Sequence, residues 1–396
     1  MTAERSPRSS LQAPPYAGRT PAIGRIVWLC VAVTFIEPVF YGVLAPLLPR
    51  FTHEFGFSKQ GAGLLVASYM VGMLGAMAPL RRLLGRVAPR LAVIAGLLVM
   101  AGATTTFALA DSAPALVIIR GVQGFGAGIA WLAALGWLLD IVPEPDRGRI
   151  LGKSLATTFV GSALGPLVGA LVLAVGALPT LLTVSIFGVA LSLAAARMPG
   201  EMPPRRAAAP AAATALLTRP GLAILALLTA VSMGTGARFV LIPLQLSAEG
   251  VGGRGIAFTF AGVAIVMAAC ALLTGRVVDR RGTTAPMLIG AAVSVVLLLG
   301  LSRTNTALST ALVAVSIGFG LQPTATAAIL RLTAMSDRLG VDSGTSLSYV
   351  NLCWTGGYLV GSLTAGWVSQ RASDAAAWVV LACVCAAAGA LFAFTR

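Results

Sequence analysis

One carboxylate and two guanidinium groups stand where the surrounding sequence is apolar. Of thirteen acidic residues only Glu37 falls midway along an apolar stretch, between Ile36 and Pro38. A carboxyl group taken out of water loses the solvation that favours its charged form, so it can gain and lose a proton near neutral pH. When ionised it also attracts a cation. Arg120 lies in Leu116-Val117-Ile118-Ile119-Arg120-Gly121-Val122-Gln123-Gly124, where Gln123 is three residues on and shares its helix face. Arg238 lies in a third apolar stretch. An Arg at the centre of a span costs roughly 2.5–3.5 kcal/mol on insertion scales and faces a cavity or a partner. Arg120 is close to the end of its stretch, so snorkelling toward water is the alternative. For Glu37 the alternative is a static ion pair with Arg120 or Arg238, which does not exclude proton exchange.

Other chemistries find no residues. His53 is the sole histidine, so a metal site built on it is not expected. Cys30, Cys270, Cys353, Cys383 and Cys385 all fall in apolar stretches, and Cys383 and Cys385, two apart, do not face each other on a helix. They read as small core residues. No His/Asp, Cys/His or paired-carboxylate set falls within a span. The Gly-rich run Gly121–Gly128 lacks the strand and the acidic residue of a dinucleotide loop. No cofactor is expected, and an enzyme or a sensor embedded in the membrane is a remote reading.

The elements that carry these residues are set by composition. The chain has 57% hydrophobic and 10% charged residues and a mean hydropathy of +0.90; a soluble domain carries about 25% charged residues. The solvent for most of the surface is therefore lipid. Spans of roughly 20 apolar residues are expected near 26–48, 61–80, 91–110, 114–140, 150–174, 178–197, 220–246, 256–275, 284–302, 307–332, 343–368 and 375–395. Backbone polar groups in lipid must be satisfied internally, which makes these helices. The short alternating segments of a barrel are absent. With the N-terminus inside, 21 of the 28 Lys and Arg fall in the tails and inner loops and five in outer loops. That bias puts both termini in the cytoplasm and accounts for the net charge of +15 without nucleic acid.

Residues 1–25 read as a polar cytoplasmic tail, 26–198 as a first six-helix bundle, 199–219 as a Pro-interrupted cytoplasmic linker and 220–396 as a second bundle. Pro46 and Pro243, and Gly85 and Gly282, are each 197 residues apart. Gly161, Gly165 and Gly169 match Gly357, Gly361 and Ala365 at an offset of 196. Parallel repeats of this kind belong to secondary transporters whose substrate site lies near mid-membrane between the halves.

From about residue 26 the chain resembles the major facilitator superfamily, in motifs spread along it. Gly275-Arg276-Val277-Val278-Asp279-Arg280-Arg281-Gly282 is similar to that family's G-x-x-x-D-R-x-G loop signature. The resemblance implies a cytoplasmic latch at Gly275, Asp279, Arg280 and Gly282. The matching loop Leu80–Arg86 keeps Arg82 and Gly85 but lacks the Asp, and Asp140 stands as a substitute partner for its arginines. Arg120, Gln123 and Gly124 resemble the R-x-x-Q-G motif associated with proton-coupled members. Gly161, Gly165, Pro166 and Gly169 resemble G-x-x-x-G-P-x-x-G of the drug:proton antiporter branch. Glu37 precedes Pro46-Leu47-Leu48-Pro49 by nine residues, as an acidic residue does in drug antiporters and vesicular amine transporters, although there it is more usually Asp.

The resemblance implies twelve transmembrane helices in two six-helix pseudo-symmetric halves, an all-α membrane protein of the major facilitator fold. In that family helices 1, 4, 7, 10 and 11 commonly line the cavity, which makes Tyr41, Gln123, Gln322, Tyr349, Asn351 and Trp354 candidates to line it here, although an aromatic near the interface can instead be a lipid anchor. The expected function is proton-coupled export of small lipophilic, cationic or zwitterionic compounds by a monomer, with Glu37, Arg120 and Arg238 carrying coupling and substrate. A proton-coupled importer of a nutrient or organic anion is the alternative on the same fold. The excess of Arg over Lys (26 to 2) and the abundance of Ala suggest a high-GC bacterial source, hence the bacterial cytoplasmic membrane.

Overall fold

The computed structural model describes residues 20–83, 87–142, 144–199, 214–341 and 343–395, with the side chains of 20–22, 79–83, 144–145, 147–149, 151–152, 155 and 343 excepted. Most of the expected tail, most of the linker and Gly85 lie outside the described residues. The elements are α1 (Thr20–Gly42), α2 (Leu44–Glu54), α3 (Lys59–Leu83), α4 (Pro89–Ala108), α5 (Ala113–Ile141), α6 (Glu144–Val175), α7 (Ala177–Ala196), α8 (Arg219–Ala248), α9 (Gly253–Arg281), α10 (Thr284–Leu301), α11 (Ala307–Ser316), α12 (Gly318–Arg338), α13 (Ser343–Arg371) and α14 (Asp374–Thr395).

Two pairs of these helices form single bent spans, so the twelve expected spans are all found as helices. α1 and α2 join at Val43 (φ −52°, ψ −32°) and α11 and α12 at Ile317 (φ −58°, ψ −25°), both helical dihedrals. The first kink follows from proline: Pro46 has no N–H to offer the Gly42 carbonyl, nor Pro49 the Ala45 carbonyl. Eleven of the spans are long and apolar enough to cross a membrane. The eleventh in order, α13, is long enough at 29 residues but is diluted by Ser, Thr, Gly, Asn, Tyr and Trp. Large apolar side chains such as Trp28, Ile118, Phe258 and Phe394 face outward, as a lipid solvent allows.

Lipid gives helices no hydrophobic drive to associate, so close packing must hold them. The glycines supply it. A Cβ on Gly161 would collide with the Phe35 carbonyl, on Gly165 it would lie 2.8 Å from Gly42 Cα, and on Gly169 2.5 Å from Pro46 Cγ. The whole stripe is thus laid along α1 and α2. The repeat does the same in the second half: a Cβ on Gly357 would stand 2.5 Å from the Thr229 carbonyl, and on Gly361 2.5 Å from Met233 Cα. By the sequence offset Phe35 corresponds to Ser232, which also lies against Gly357. α6 is therefore to α1 as α13 is to α8.

Hydrogen bonds reinforce the first of these seams. Pro38 leaves the Thr34 carbonyl without its helical donor, and Thr158 Oγ1 of α6 donates to that oxygen at 3.3 Å. Thr34 and Ser154 share a buried hydroxyl hydrogen bond of 2.8 Å.

The charge distribution assigns an outer and an inner end to the bundle. The halves are tied at the outer end. Lys59 Nζ, at the start of α3, pairs with Asp374 Oδ1, at the start of α14, at 2.6 Å, and the Lys59 backbone N–H donates to Gln370 Oε1 at 3.0 Å. One turn inward Gly63 and Gly366 pack backbone to backbone. Deeper still, Tyr41 of α1 packs on Phe239 of α8 (4.8 Å between ring centroids) and on Tyr358 of α13 (5.5 Å).

Candidate functional site

Glu37 is 9% exposed, and its carboxylate Oε1 accepts a hydrogen bond of 2.6 Å from Tyr69 Oη of α3. Pro38 follows it and Tyr41 stands one turn on. Tyr69 is brought there by close packing: a Cβ on Gly124 would collide with the Tyr69 carbonyl, and one on Gly72 with the Gly121 carbonyl. The glycine of the R-x-x-Q-G motif thus lets α3 approach α5 closely enough for the tyrosine to reach Glu37. Neither Arg120 nor Arg238 lies within 4.0 Å of the Glu37 carboxylate among the described residues. The static contact pair is not formed in this structure, although Arg120 is near enough to act on Glu37 electrostatically.

Arg120 does not snorkel. It is 2% exposed and turned inward, donating from Nη1 to the Phe40 carbonyl (3.3 Å) and from Nη2 to the Tyr41 carbonyl (2.7 Å), at the last turn before the α1–α2 kink. Nη1 also donates to Gln123 Oε1, and Gln123 Nε2 donates to Thr104 Oγ1 at 2.6 Å. The guanidinium lies over the Tyr69 ring at 4.7 Å and the Tyr41 ring at 5.4 Å. A planar fork with several donors can serve two carbonyls and an amide at once, which an ammonium on a flexible stem cannot. Arg120→Lys is accordingly expected to destabilise the purified protein by about 2–3 kcal/mol, the size of one charged hydrogen bond lost without replacement, read from thermal unfolding in detergent.

The remaining expected residues divide. Arg238 is 5% exposed and faces Phe239 (5.0 Å to the centroid), Phe260 (5.6 Å) and Met267 Sδ (3.7 Å). Tyr41 is central, touching Tyr69 (5.1 Å), Phe239 and Tyr358. Gln123 is turned into the first half, where it borders a small cavity with Thr104, Phe40 and Leu181 rather than the seam between halves. Gln322 is buried and donates to Thr326 within α12 (3.0 Å). Tyr349, Asn351 and Trp354 are half-buried on α13. Asn351 donates to the Leu347 carbonyl, and the Trp354 carbonyl accepts from Ser232 of α8.

At the inner end Asp279 and Arg280 are exposed, and their side chains make no hydrogen bond or ion pair among the described residues. Gly282 ends α9 with φ 74°, a left-handed conformation that suits glycine, and donates to the Val278 carbonyl. Gly275 is only half-buried, and a Cβ there would meet open space. Asp140 is exposed at the inner end of α5, and the Arg82 side chain lies outside the described residues.

Sequence reasoning missed Tyr69, Thr104, Phe239 and Tyr358. Their signal was weak but present: the chain has only five tyrosines, and three of them meet here.

The fold is shared with known transporters. A crystal structure of a bacterial homolog to the human lysosomal transporter Spinster, in an inward-facing and unoccupied conformation, superposes with a TM-score of 0.71 at 13% identity, covering 96% of each chain. A probable vesicular acetylcholine transporter-B of Danio rerio is 29% identical over 151 residues, 36% of this chain and 30% of that one. The quinolone resistance protein NorA of Staphylococcus aureus is 25% identical over 128 residues, 32% of this chain and 33% of that one. The matched segments span about a third of the length of these curated relatives. A family model described as Major Facilitator Superfamily matches residues 30–344, and with that match across most of its length the chain belongs to the Major Facilitator Superfamily.

Proposed function

We propose that this protein is a proton-coupled exporter of small lipophilic cations or zwitterions, resident in a bacterial cytoplasmic membrane with both termini in the cytoplasm. The observation that carries the reading is the buried Glu37–Tyr69 pair beside the aromatic seam between the halves. An uncharged Glu37 fits that surrounding without a counter-ion. An ionised Glu37 has no cation in contact with it among the described residues, Arg120 acting only from beyond 4.0 Å, and a substrate cation supplies one. Proton and substrate then compete for one carboxylate, and exchange follows. The names of the relatives, a quinolone resistance protein and a probable vesicular acetylcholine transporter, support transport of a drug-like or cationic compound.

Coupling requires that both ligands bind two conformations with different affinity. In this structure the halves are pinned together at the outer end by Lys59, Gln370 and Asp374, while the Asp279 and Arg280 side chains make no tie at the inner end among the described residues. The outer pair is half-exposed and is worth at most about 1 kcal/mol, near a fivefold change in the ratio of outer-open to outer-closed molecules. Lys59→Asp should raise that ratio, and the exchanged pair Lys59→Asp with Asp374→Lys should restore it, as measured by electron-spin distances between labels at Gly56 and Ala372.

The export reading is tested by ethidium efflux from energised cells. Efflux that stops on addition of a protonophore is the expected result. Accumulation of the dye on energisation would point instead to import.

A further inference from the structure

Of the two guanidinium groups of the site, Arg238 is the one to which no oxygen is hydrogen-bonded among the described residues. Both Nε atoms are buried without a partner among the described residues, but the Nη groups of Arg120 have two carbonyls and an amide, whereas the hydrogen-bond contact of Arg238 is a thioether sulfur. Two ring faces flank it. They stabilise a cation but do not replace a hydrogen-bond acceptor. Two further groups at the same seam share its condition: Tyr41 Oη and Tyr358 Oη are buried and unbonded among the described residues. Arg238 is close enough to Tyr41 to act on it electrostatically. No carboxylate among the described residues lies within 4.0 Å of Arg238. One unmatched cation and two unmatched hydroxyls facing one seam make a site for an anionic oxygen group that the described residues do not provide.

The groups are also ordered in space. Glu37 is bonded to Tyr69; Tyr69 packs on Tyr41 at 5.1 Å, Tyr41 on Phe239 at 4.8 Å, and Arg238 lies over Phe239 at 5.0 Å. An acid and a guanidinium thus stand at opposite ends of a run of aromatic rings that crosses from one half to the other. We infer that the substrate is an aromatic zwitterion, its ammonium directed to Glu37 and its carboxylate to Arg238, with the Tyr41 and Tyr358 hydroxyls as further donors to that carboxylate. This rests on the exporter reading above and narrows its substrate class. A ligand that bridges Glu37 in the first half and Arg238 in the second also has a direct means of biasing their relative position, which a cation held by Glu37 alone lacks.

The test uses two fluorescent dyes with one xanthene core, rhodamine 110 with a free carboxylate and rhodamine 123, its methyl ester. Binding to the purified full-length protein is read by fluorescence polarisation. Wild type is expected to bind the acid more tightly than the ester. Arg238→Gln is expected to weaken the acid by about 30-fold or more, the loss that follows truncation of one partner of a buried charge pair, and the ester by no more than about threefold. Arg238→Lys, which keeps the charge, should retain a preference for the acid and carries the test should the Gln variant fail to fold. A wild type that does not prefer the acid overturns the inference, as does an equal loss for both dyes in Arg238→Gln. The exporter reading fails separately: an acid preference that depends on Arg238, in a protein whose ethidium efflux ignores protonophores, would keep the anion subsite and remove proton coupling.

Discussion

Glu37→Gln is expected to abolish uphill efflux while leaving downhill exchange of substrate in place. The amide is close in shape to the protonated acid and can still accept the Tyr69 hydrogen bond, so the seam around Tyr41 and Phe239 keeps its packing. It cannot release a proton. Proteoliposomes holding this variant should therefore lose gradient-driven dye transport by about 100-fold, the lower range of what a positioned proton-transfer group contributes in enzymes. Counterflow with no gradient should persist. Because Glu37 is also proposed to hold the substrate cation, counterflow is read at saturating substrate: loss of both activities there would leave Glu37 a binding or folding role without coupling, and retention of both would remove it from coupling. Tyr69→Phe, which deletes the donor to Glu37, is the natural companion variant.

The second large effect lies in the glycine stripe. Gly161→Ala places a methyl group against the Phe35 carbonyl, and Gly165→Ala places one 2.8 Å from Gly42 Cα. In both cases the obstacle is backbone, which cannot swing aside as the end of a side chain can. The expected cost is about 3 kcal/mol for Gly161→Ala, at the upper end for overpacking, seen as earlier thermal unfolding in detergent. Gly275→Ala serves as the control: its Cβ meets nothing within 4 Å, and it should leave stability within about 0.5 kcal/mol of wild type, as surface changes do. Equal stability of all three proteins would mean that α6 does not lie against α1 as described.

The fold was legible in the sequence because lipid imposes a strong pattern. Length, hydropathy and the distribution of Arg located every span, with the longest helices running up to six residues past the expected ends, and the spaced glycines located the repeat. The kinks at Val43 and Ile317 went unread. Pro46 and Pro49 stand just past the first joint and Gly318, Gly320 and Pro323 just past the second, but helical dihedrals at both joints leave each pair one continuous apolar span. Span 13 in helix order, α13, is found despite its polarity because Gly357 and Gly361 fix it on α8.

The site was half legible. Glu37 is conspicuous, since a carboxylate in an apolar run is costly and has no packing reason to be there. Arg120 was conspicuous too, but its task was not: that it serves the Phe40 and Tyr41 carbonyls depends on a crossing of α1 and α5 that spacing does not reveal. Tyr69 was invisible because a tyrosine in an apolar stretch looks like an interfacial anchor. Only the approach of α3 to α5 at Gly124 shows that its hydroxyl meets a carboxylate. Arg238 reads the same from sequence as Arg120. The difference between them, three oxygen acceptors against a sulfur and two rings, is a property of the assembled helices.

The central claim, that substrate and proton compete for Glu37, is tested most directly by proton release on binding. Rhodamine 123 is added to purified protein in a lightly buffered solution near neutral pH, with a pH indicator present and no gradient. About one proton released per dye bound by wild type, and none by Glu37→Gln at matched occupancy, is the predicted result. Saturating binding to wild type with no change in pH, or release of the same size from Glu37→Gln, would contradict it.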